Sequence, residues 1–147
     1  MLIFISLKKI AILTEGSANF GFGHIVRCLS FYDELTIRGF TVEFIIEGDD
    51  SILKVLLDRN YRLYNWHNNV FGIIGYLKKF SGIILDTLHI NQIEIDELCK
   101  TNLAILSIDD FLRNRYTKSI VLDWTINSEK FNLHKFNEKQ NLFIKLV

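Results

Sequence analysis

Residues 10–39 read IAILTEGSANFGFGHIVRCLSFYDELTIRG, and this stretch indicates how the chain folds. It begins with an apolar run at residues 10–13, continues through a loop that contains three glycines, and enters a helix predicted over residues 24–38. On that helix the apolar residues fall on one face and the charged residues on the other, and Gly39 ends it. A strand, a glycine-bearing loop and an amphipathic helix form the first part of a βαβ unit.

Similar apolar runs recur along the rest of the chain, with helical patterns between them. Their apolarity is nearly continuous rather than alternating, which is typical of strands covered on both faces of a parallel sheet. The further predicted strands are residues 42–46, 61–66, 82–85, 103–108 and 119–122, and the further predicted helices are residues 50–59, 70–80 and 92–100. This order predicts an α/β protein with a doubly wound parallel sheet.

Length and composition restrict the class of protein. A chain of 147 residues has the size of one domain, and 17 basic residues balance 17 acidic ones, so no net charge attracts nucleic acid. Cys28 and Cys99 lie far apart, which favours reduced, buried thiols of a cytoplasmic protein. The apolar opening at residues 2–7 is too short to span a membrane and lacks the basic region that begins a signal peptide.

Three loops are predicted to meet at one edge of the sheet, because ligands of doubly wound sheets bind at the carboxyl ends of the strands. These loops contain residues 15–24, the pair Asp86 and Thr87, and the pair Asp109 and Asp110. One interpretation is that their polar side chains line a ligand site. The other is that Asp86 and Asp109 cap the helices that follow them.

The loop before the predicted helix suits an anionic or hydroxylated ligand, because glycines allow close approach and a helix N-terminus offers free N–H groups. Gly16, Gly21 and Gly23 do not have the spacing of the dinucleotide fingerprint, and no Walker lysine follows, so neither motif supports a nucleotide cofactor. His24 is a candidate general base, since an imidazole can accept a proton from water. The alternative is that His24 only packs or caps the helix start.

The segment Gly21-Phe22-Gly23-His24-Ile25-Val26-Arg27-Cys28-Leu29 resembles the G-x-G-H-x-x-R-C-L motif of a known family. The family comprises the UDP-sugar hydrolases of pseudaminic acid biosynthesis, formally UDP-2,4-diacetamido-2,4,6-trideoxy-β-L-altropyranose hydrolase. Three further motifs follow in the family's order: Leu85-Asp86-Thr87, Ile108-Asp109-Asp110 and Ile126-Asn127. Four ordered motifs are more specific than any one of them.

The resemblance implies a Rossmann-like domain that forms the N-terminal half of a GT-B fold over residues 1–147. In that architecture a cleft separates two domains, and the C-terminal domain, which holds most of the UDP, has no counterpart in this sequence. The resemblance therefore implies that another chain or a longer gene product supplies that domain, or that the chain self-associates through an exposed apolar patch that includes residues 142–147.

The resemblance also implies roles for individual residues. His24 would activate the water that attacks the anomeric carbon and expels UDP with inversion, with no metal or cofactor. Backbone N–H groups near Gly21 and Gly23 would stabilise the phosphate charge. The other residues that the resemblance places around the substrate are Glu15, Arg27, Asp86, Thr87, Asp109, Asp110 and Asn127. For Arg27, contact with solvent, with the absent domain or with phosphate are all compatible with its place on the helix.

The sequence departs from the family's motifs in two places, so it does not determine which sugar is bound. The family's Arg-Ala-Asp run is Leu13-Thr14-Glu15 here, and its Asp-Ser-Tyr signature is Asp86-Thr87-Leu88. Two other functions remain compatible with the motifs. One is a glycosyltransferase domain in which an acceptor hydroxyl replaces water, and the other is a non-catalytic remnant or binding module.

The remaining candidates have weaker patterns. His67, His89 and His134 have no partner at metal-ligand spacing and are predicted to be surface or turn residues. A group of aromatic residues could form a stacking surface or could pack in the core. That group is Tyr61, Tyr64, Trp66 and Trp124. From residue 127 onward the chain is predicted to form a final helix with a short apolar end, or a frayed extension.

Overall fold

The computed structural model describes residues 8–67, 69–110 and 113–124, together with the backbone of residues 142–145. Its elements alternate between strands and helices in the order expected for an α/β protein. The strands are β1 (Lys9–Gly16), β2 (Thr41–Gly48), β3 (Tyr61–Leu63), β4 (Gly82–Asp86), β5 (Ala104–Ile108), β6 (Ile120–Asp123) and β7 (Leu142–Lys145). The helices are α1 (Gly23–Ile37), α2 (Leu53–Leu56) after a 3₁₀ turn (Asp50–Ile52), α3 (Val70–Leu77) and α4 (Gln92–Cys99).

The described strands form one sheet in the order β3-β2-β1-β4-β5-β6-β7, and every neighbouring pair is parallel. The chain runs outward from β1 to β3 and then returns to β4 on the other side of β1. The predicted doubly wound, Rossmann-like sheet is therefore confirmed. The reversal puts a topological switch point between β1 and β4, where sheets of this kind bind ligands.

The core consists of two layers, one on each face of the sheet. Ile12 of β1 packs with residues of α1 and α2, whereas Ala11 and Leu13 pack with residues of α3 and α4. Both faces of the central strands are covered, and all five residues of β4 are buried. This double coverage is the physical reason for the continuous apolar runs in the sequence.

Two predicted elements differ in the structure. The helix predicted over residues 50–59 is a 3₁₀ turn and a short α2, which stops at Leu57 with a φ of 55°. The prediction of a helical or frayed end is wrong for residues 142–145, because they form β7 and pair with β6 in parallel. Pairing with β7 satisfies the backbone N–H and C=O groups at the edge of β6. This requirement joins residues far apart in the chain, so the local sequence pattern does not encode it. None of the described helices has the length and apolar composition needed to cross a membrane.

Gly16 and Gly48 end the two neighbouring strands β1 and β2 and face each other in the register of the sheet. A Cβ atom on Gly48 would lie 2.1 Å from the carbonyl oxygen of Gly16, and a Cβ on Gly16 would lie 2.6 Å from Ile25 Cδ1. The two strands can therefore approach this closely at the carboxyl edge only without side chains at both positions.

We expect Gly48→Ala to lower the free energy of unfolding by about 1–3 kcal/mol, because the methyl group would force the backbone of β1 or β2 to move. Gly75→Ala is the matched control: Gly75 lies on α3, and apart from its chain neighbours and the backbone of its own helix, no atom of the described residues is within 4 Å of the place that a Cβ would take. Alanine there should stabilise the helix by roughly 0.5–1 kcal/mol. Urea unfolding of both variants measures the difference, and equal effects would contradict the close approach.

Candidate functional site

The candidate site lies at the switch point, where β1 and β4 end beside the first turn of α1. Thr14 of β1 and Asp86 of β4 are register partners, and both are fully buried. α1 begins at Gly23, so His24 and Arg27 lie within its first two turns, above the ends of the two strands. The topology thus brings a helix start and a buried carboxylate together.

His24 and Asp86 form a hydrogen-bonded pair. The Nδ1 atom of His24 lies 2.8 Å from Oδ1 of Asp86. A carboxylate only accepts hydrogen bonds, so Nδ1 carries a proton, and in the neutral imidazole the free lone pair is on Nε2. The His24 side chain remains 27% exposed, which leaves the imidazole accessible.

Arg27 binds the same carboxylate with a bidentate fork. Its Nε donates to Oδ2 of Asp86 at 2.7 Å and its Nη2 donates to Oδ1, while Nη1 donates to Oδ2 of Asp110 at 2.6 Å. The guanidinium therefore bridges the loops that follow β4 and β5. The expected contacts of Arg27 with solvent, with a second domain or with phosphate stay predictions, and among the described residues its guanidinium forms this double ion pair.

Asp86 stays ionised although it is fully buried. Burial by itself raises the pKa of Asp86, but the hydrogen bonds from His24 and Arg27 and the charge of Arg27 outweigh it and lower the pKa below its ordinary value. The helix-cap interpretation is wrong for Asp86, because Asn91 caps α4 in a capping box with Glu94. Asp86 instead holds the first two turns of α1 against the sheet.

Cys28 of α1 also contacts this carboxylate. Its Sγ lies 3.5 Å from Oδ2 of Asp86, and the side chain is fully buried, as its position on the apolar face of the helix predicts. Burial, together with the negative charge of Asp86, raises the pKa of the Cys28 thiol. Cys28 is therefore a neutral packing residue that donates to the carboxylate.

Glu15 is the centre of a second polar cluster on the other face of the sheet. It is only 4% exposed, and it accepts hydrogen bonds from Thr87 Oγ1 at 2.7 Å, the Leu88 N–H at 2.8 Å and His89 Nδ1 at 2.9 Å. His67 Nε2 lies 3.0 Å from Oε2. Burial alone raises the pKa of Glu15, but these surrounding groups lower it to about 2.

The two clusters meet above the end of β1. His24 Nε2 lies 3.9 Å from Oε1 of Glu15, a separation too long for a direct hydrogen bond. Asp86, His24 and Glu15 thus form a continuous polar arrangement across the edge of the sheet. The predicted site residues Glu15, His24, Arg27, Asp86, Thr87 and Asp110 are all brought together here.

His67 and His89 belong to this arrangement. They are a turn residue and an exposed residue, so the prediction of surface or turn residues is confirmed. The expected absence of a partner at metal-ligand spacing is wrong for both, because each imidazole lies within 3.0 Å of a Glu15 oxygen. His67 follows β3 and His89 follows β4. The criterion that selected Asp86, a polar residue just beyond a strand, would also have selected these two.

The glycine loop shapes the entrance to α1. Gly21 has a φ of 83° and exchanges two backbone hydrogen bonds with Ser17, which closes a tight turn before the helix. Only glycine adopts this backbone without strain. Gly23 is the first residue of α1, no side chain of the described residues caps the helix, and its first turn holds no acidic residue. The helix start can therefore accept an anion.

The two aspartates of the loop after β5 have different hydrogen-bond partners. Asp109 accepts hydrogen bonds from Arg113 Nε, the Asn114 N–H and Tyr116 Oη, so it orders its own loop. Asp110 accepts from Arg27 and from the Trp124 N–H, so it joins the site. Two further sequence candidates, Asn127 and His134, lie outside the described residues.

The aromatic candidates do not form a shared surface. Trp66 is fully buried in the core, and its Nε1 donates to the carbonyl of Thr14 at 3.4 Å. Tyr64 packs partly against the same core, whereas Tyr61 and Trp124 are each more than a third exposed. Of the two interpretations of these aromatic residues, packing in the core is therefore the one that applies to Trp66 and Tyr64.

A cavity of about 490 Å³ lies away from this cluster, beside the ends of α3 and α4 that precede β4 and β5. Its lining residues belong to the amino edge of the sheet. They are Ile74, Lys78, Glu97, Lys100, Thr101, Asn102 and Leu103. We assign the candidate site to the carboxyl edge, because that edge holds the buried, ion-paired carboxylates.

The fold and the site define an α/β protein with a Rossmann-like sheet and a polar site at its switch point. No family model and no solved structure matches the chain. The chain is similar to an uncharacterized protein of Methanocaldococcus jannaschii, with 32% identity over 139 residues. The alignment covers 89% of this chain and 28% of that relative, so the chain spans little more than a quarter of the relative's length.

We expect Arg27→Gln to lower the free energy of unfolding by about 3–5 kcal/mol, because it leaves the buried Asp86 carboxylate without its bidentate partner. Arg38→Gln is the matched control, since Arg38 forms an exposed ion pair with Glu34 on the same helix and should lose less than about 0.5 kcal/mol. Denaturant unfolding near neutral pH compares the two variants. Similar losses would show that Asp86 does not depend on Arg27.

The low pKa of Glu15 predicts a specific acid dependence of stability. A carboxyl whose pKa falls from 4.5 to about 2 on folding stabilises the protein fully above pH 4.5, and this contribution is lost as the pH falls toward 2. We expect Glu15→Gln to be less stable than the wild type by roughly 3 kcal/mol near neutral pH, with the difference shrinking toward pH 2. A constant difference across this range would refute the assignment.

Proposed function

We propose that this chain is the sugar-side domain of a nucleotide-sugar hydrolase, of the type that acts in pseudaminic acid biosynthesis, with His24 as the general base. The observation that carries the proposal is the pair formed by His24 and the buried Asp86. The ordered motifs in the sequence support it independently. The 32% identical relative is uncharacterized and adds no activity.

The geometry of His24 suits proton abstraction from water. Asp86 holds the proton on Nδ1, so Nε2 is the basic nitrogen, and it belongs to a side chain that solvent reaches. When Nε2 takes a proton, the anionic Asp86 stabilises the imidazolium that forms. Arg27 binds Asp86, the partner of the imidazole, and Asp110 binds Arg27, so we assign both as positioning residues.

Glu15 defines where the attacking water lies. The 3.9 Å gap between His24 Nε2 and Glu15 Oε1 allows one oxygen atom to be within hydrogen-bond distance of both. Because Glu15 is anionic and accepts hydrogen bonds, it would orient the second proton of that water. The water's lone pair would then point away from both groups, toward the anomeric carbon of a bound sugar.

The uncapped start of α1 would receive the charge of the leaving group. Gly21 and Gly23 leave the backbone open to a ligand, and the free N–H groups of the first helical turn favour an anion. In the family that the motifs resemble, a second domain holds most of the UDP. The proposal therefore assigns to this chain the binding of the sugar, of the attacking water and of part of the diphosphate.

We expect His24→Gln to reduce UDP release by roughly 10²–10⁴-fold, the usual contribution of a general base. The assay combines the chain with a UDP-binding C-terminal domain, supplied by a longer gene product or a neighbouring gene, and a UDP-linked diacetamido sugar. Glu34→Gln is the control, because Glu34 is an exposed residue of the same helix and should leave turnover unchanged. Added imidazole should partly restore His24→Gln, which a structural defect would not permit.

Product analysis decides between the related functions. Release of free sugar with inverted anomeric configuration supports hydrolysis, whereas formation of a new glycoside would assign the domain to a glycosyltransferase. Unchanged turnover in His24→Gln would refute the role of His24. A wild-type chain that neither binds UDP-sugar nor releases UDP with any candidate second domain would instead be a non-catalytic remnant.

A further inference from the structure

The cluster around Glu15 contains two imidazoles that the proposed hydrolysis does not use. We propose that Glu15, His67 and His89 form a binding site for one divalent transition-metal ion. The proposal depends on the geometry of these three side chains and not on the reaction assigned to His24.

The three side chains are spaced as ligands of one ion. One potential ligand atom from each lies within 4.8 Å of the other two, and the Glu15 oxygens are 3.0 Å from His67 Nε2 and 2.9 Å from His89 Nδ1. Around a metal with bonds of about 2.0–2.2 Å, adjacent ligand atoms are roughly 3–3.5 Å apart. His89 is half-exposed on a loop, so its ring can adjust to complete the set.

The Nε2 atom of His67 is free to bind a cation. This atom is enclosed and has no hydrogen-bond partner among the described residues, because its contact with Glu15 Oε2 is close but not aligned for a hydrogen bond. In the tautomer whose Nε2 is unprotonated, the lone pair faces a Glu15 oxygen at 3.0 Å, and a cation bound between the two atoms would attract both. A buried polar atom without a partner is destabilising, and coordination to a metal ion removes that penalty.

The surroundings of Glu15 and His67 also resemble those of metal ligands. Thr87 Oγ1 and the Leu88 N–H bind the Glu15 oxygens, as outer hydrogen bonds commonly orient ligating carboxylates. The backbone N–H of His67 donates to Glu47 at 3.1 Å, which anchors the loop that carries the imidazole.

The donor set selects the class of metal. Two imidazoles and one carboxylate suit Zn²⁺ and Fe²⁺, and they disfavour Ca²⁺ and Mg²⁺, which prefer oxygen ligands. Three protein ligands leave at least one coordination position for water or for an oxygen of a ligand. His24 lies near the three ligands, since its Nε2 is 3.9 Å from Glu15 Oε1.

Calorimetric titration of the 147-residue chain tests the site, after treatment with a chelator and with Zn²⁺ alone as the probe. We expect one ion per chain with micromolar or tighter affinity. His89→Ala should weaken binding by about 100-fold or more, since even outer residues of metal sites contribute 10–100-fold. His89 is half-exposed, so this variant should keep the fold, which circular dichroism checks. Glu34→Gln is the control for carboxylates outside the cluster and should bind normally.

Co²⁺ provides a second readout that does not depend on affinity. Bound Co²⁺ should give visible absorption of a four- or five-coordinate site in the wild type, and Glu15→Gln should abolish it. Absence of stoichiometric Zn²⁺ binding in the wild type, or unchanged binding in His89→Ala, would overturn the proposal. Neither measurement uses a nucleotide sugar, so failure here is distinguishable from failure of the proposed hydrolysis.

Discussion

The buried carboxylate of Asp86 is the interaction on which the rest of the site depends. It is fully enclosed between the sheet and α1, and it stays charged only because Arg27 and His24 donate to it. A buried charge without such partners is strongly destabilising. Since both donors come from the first two turns of α1, the same requirement fixes the position of that helix on β4 and orients the imidazole of His24.

The polar residues at the switch point include a second cluster, around Glu15, on the other face of the sheet. Successive residues of a strand point to opposite faces, so Thr14 lies on the side of α1 while Glu15 lies on the side of α3 and α4. Glu15 is also a buried anion, and it is satisfied by groups from the loops after β3 and β4. The close approach of Glu15 to His24 joins the two faces at the switch point.

Much of the fold and of the candidate site could be predicted from particular residues. The continuous apolar runs predict the parallel strands, and the position of Asp86 at the end of such a run places it at the carboxyl edge. The pattern also places His24 at the start of α1. It could not show that Arg27 binds Asp86 and Asp110, because these contacts join positions 59 and 83 residues apart. Nor could it show that residues 142–145 form β7, because that pairing depends on the edge of β6.

The sequence by itself determined the class of fold, through the order of its apolar runs and helices, and the candidate residues at the loop ends. Only the tertiary structure decided which of those residues meet. His67 and His89 have no partner at any local spacing, yet both contact Glu15, since parallel strands bring all their following loops to one edge. The physical reason is that hydrophobic burial produces strands wherever the local sequence is apolar. A buried charge is instead paired with whichever group lies beside it in the folded structure, however distant that group is in the sequence.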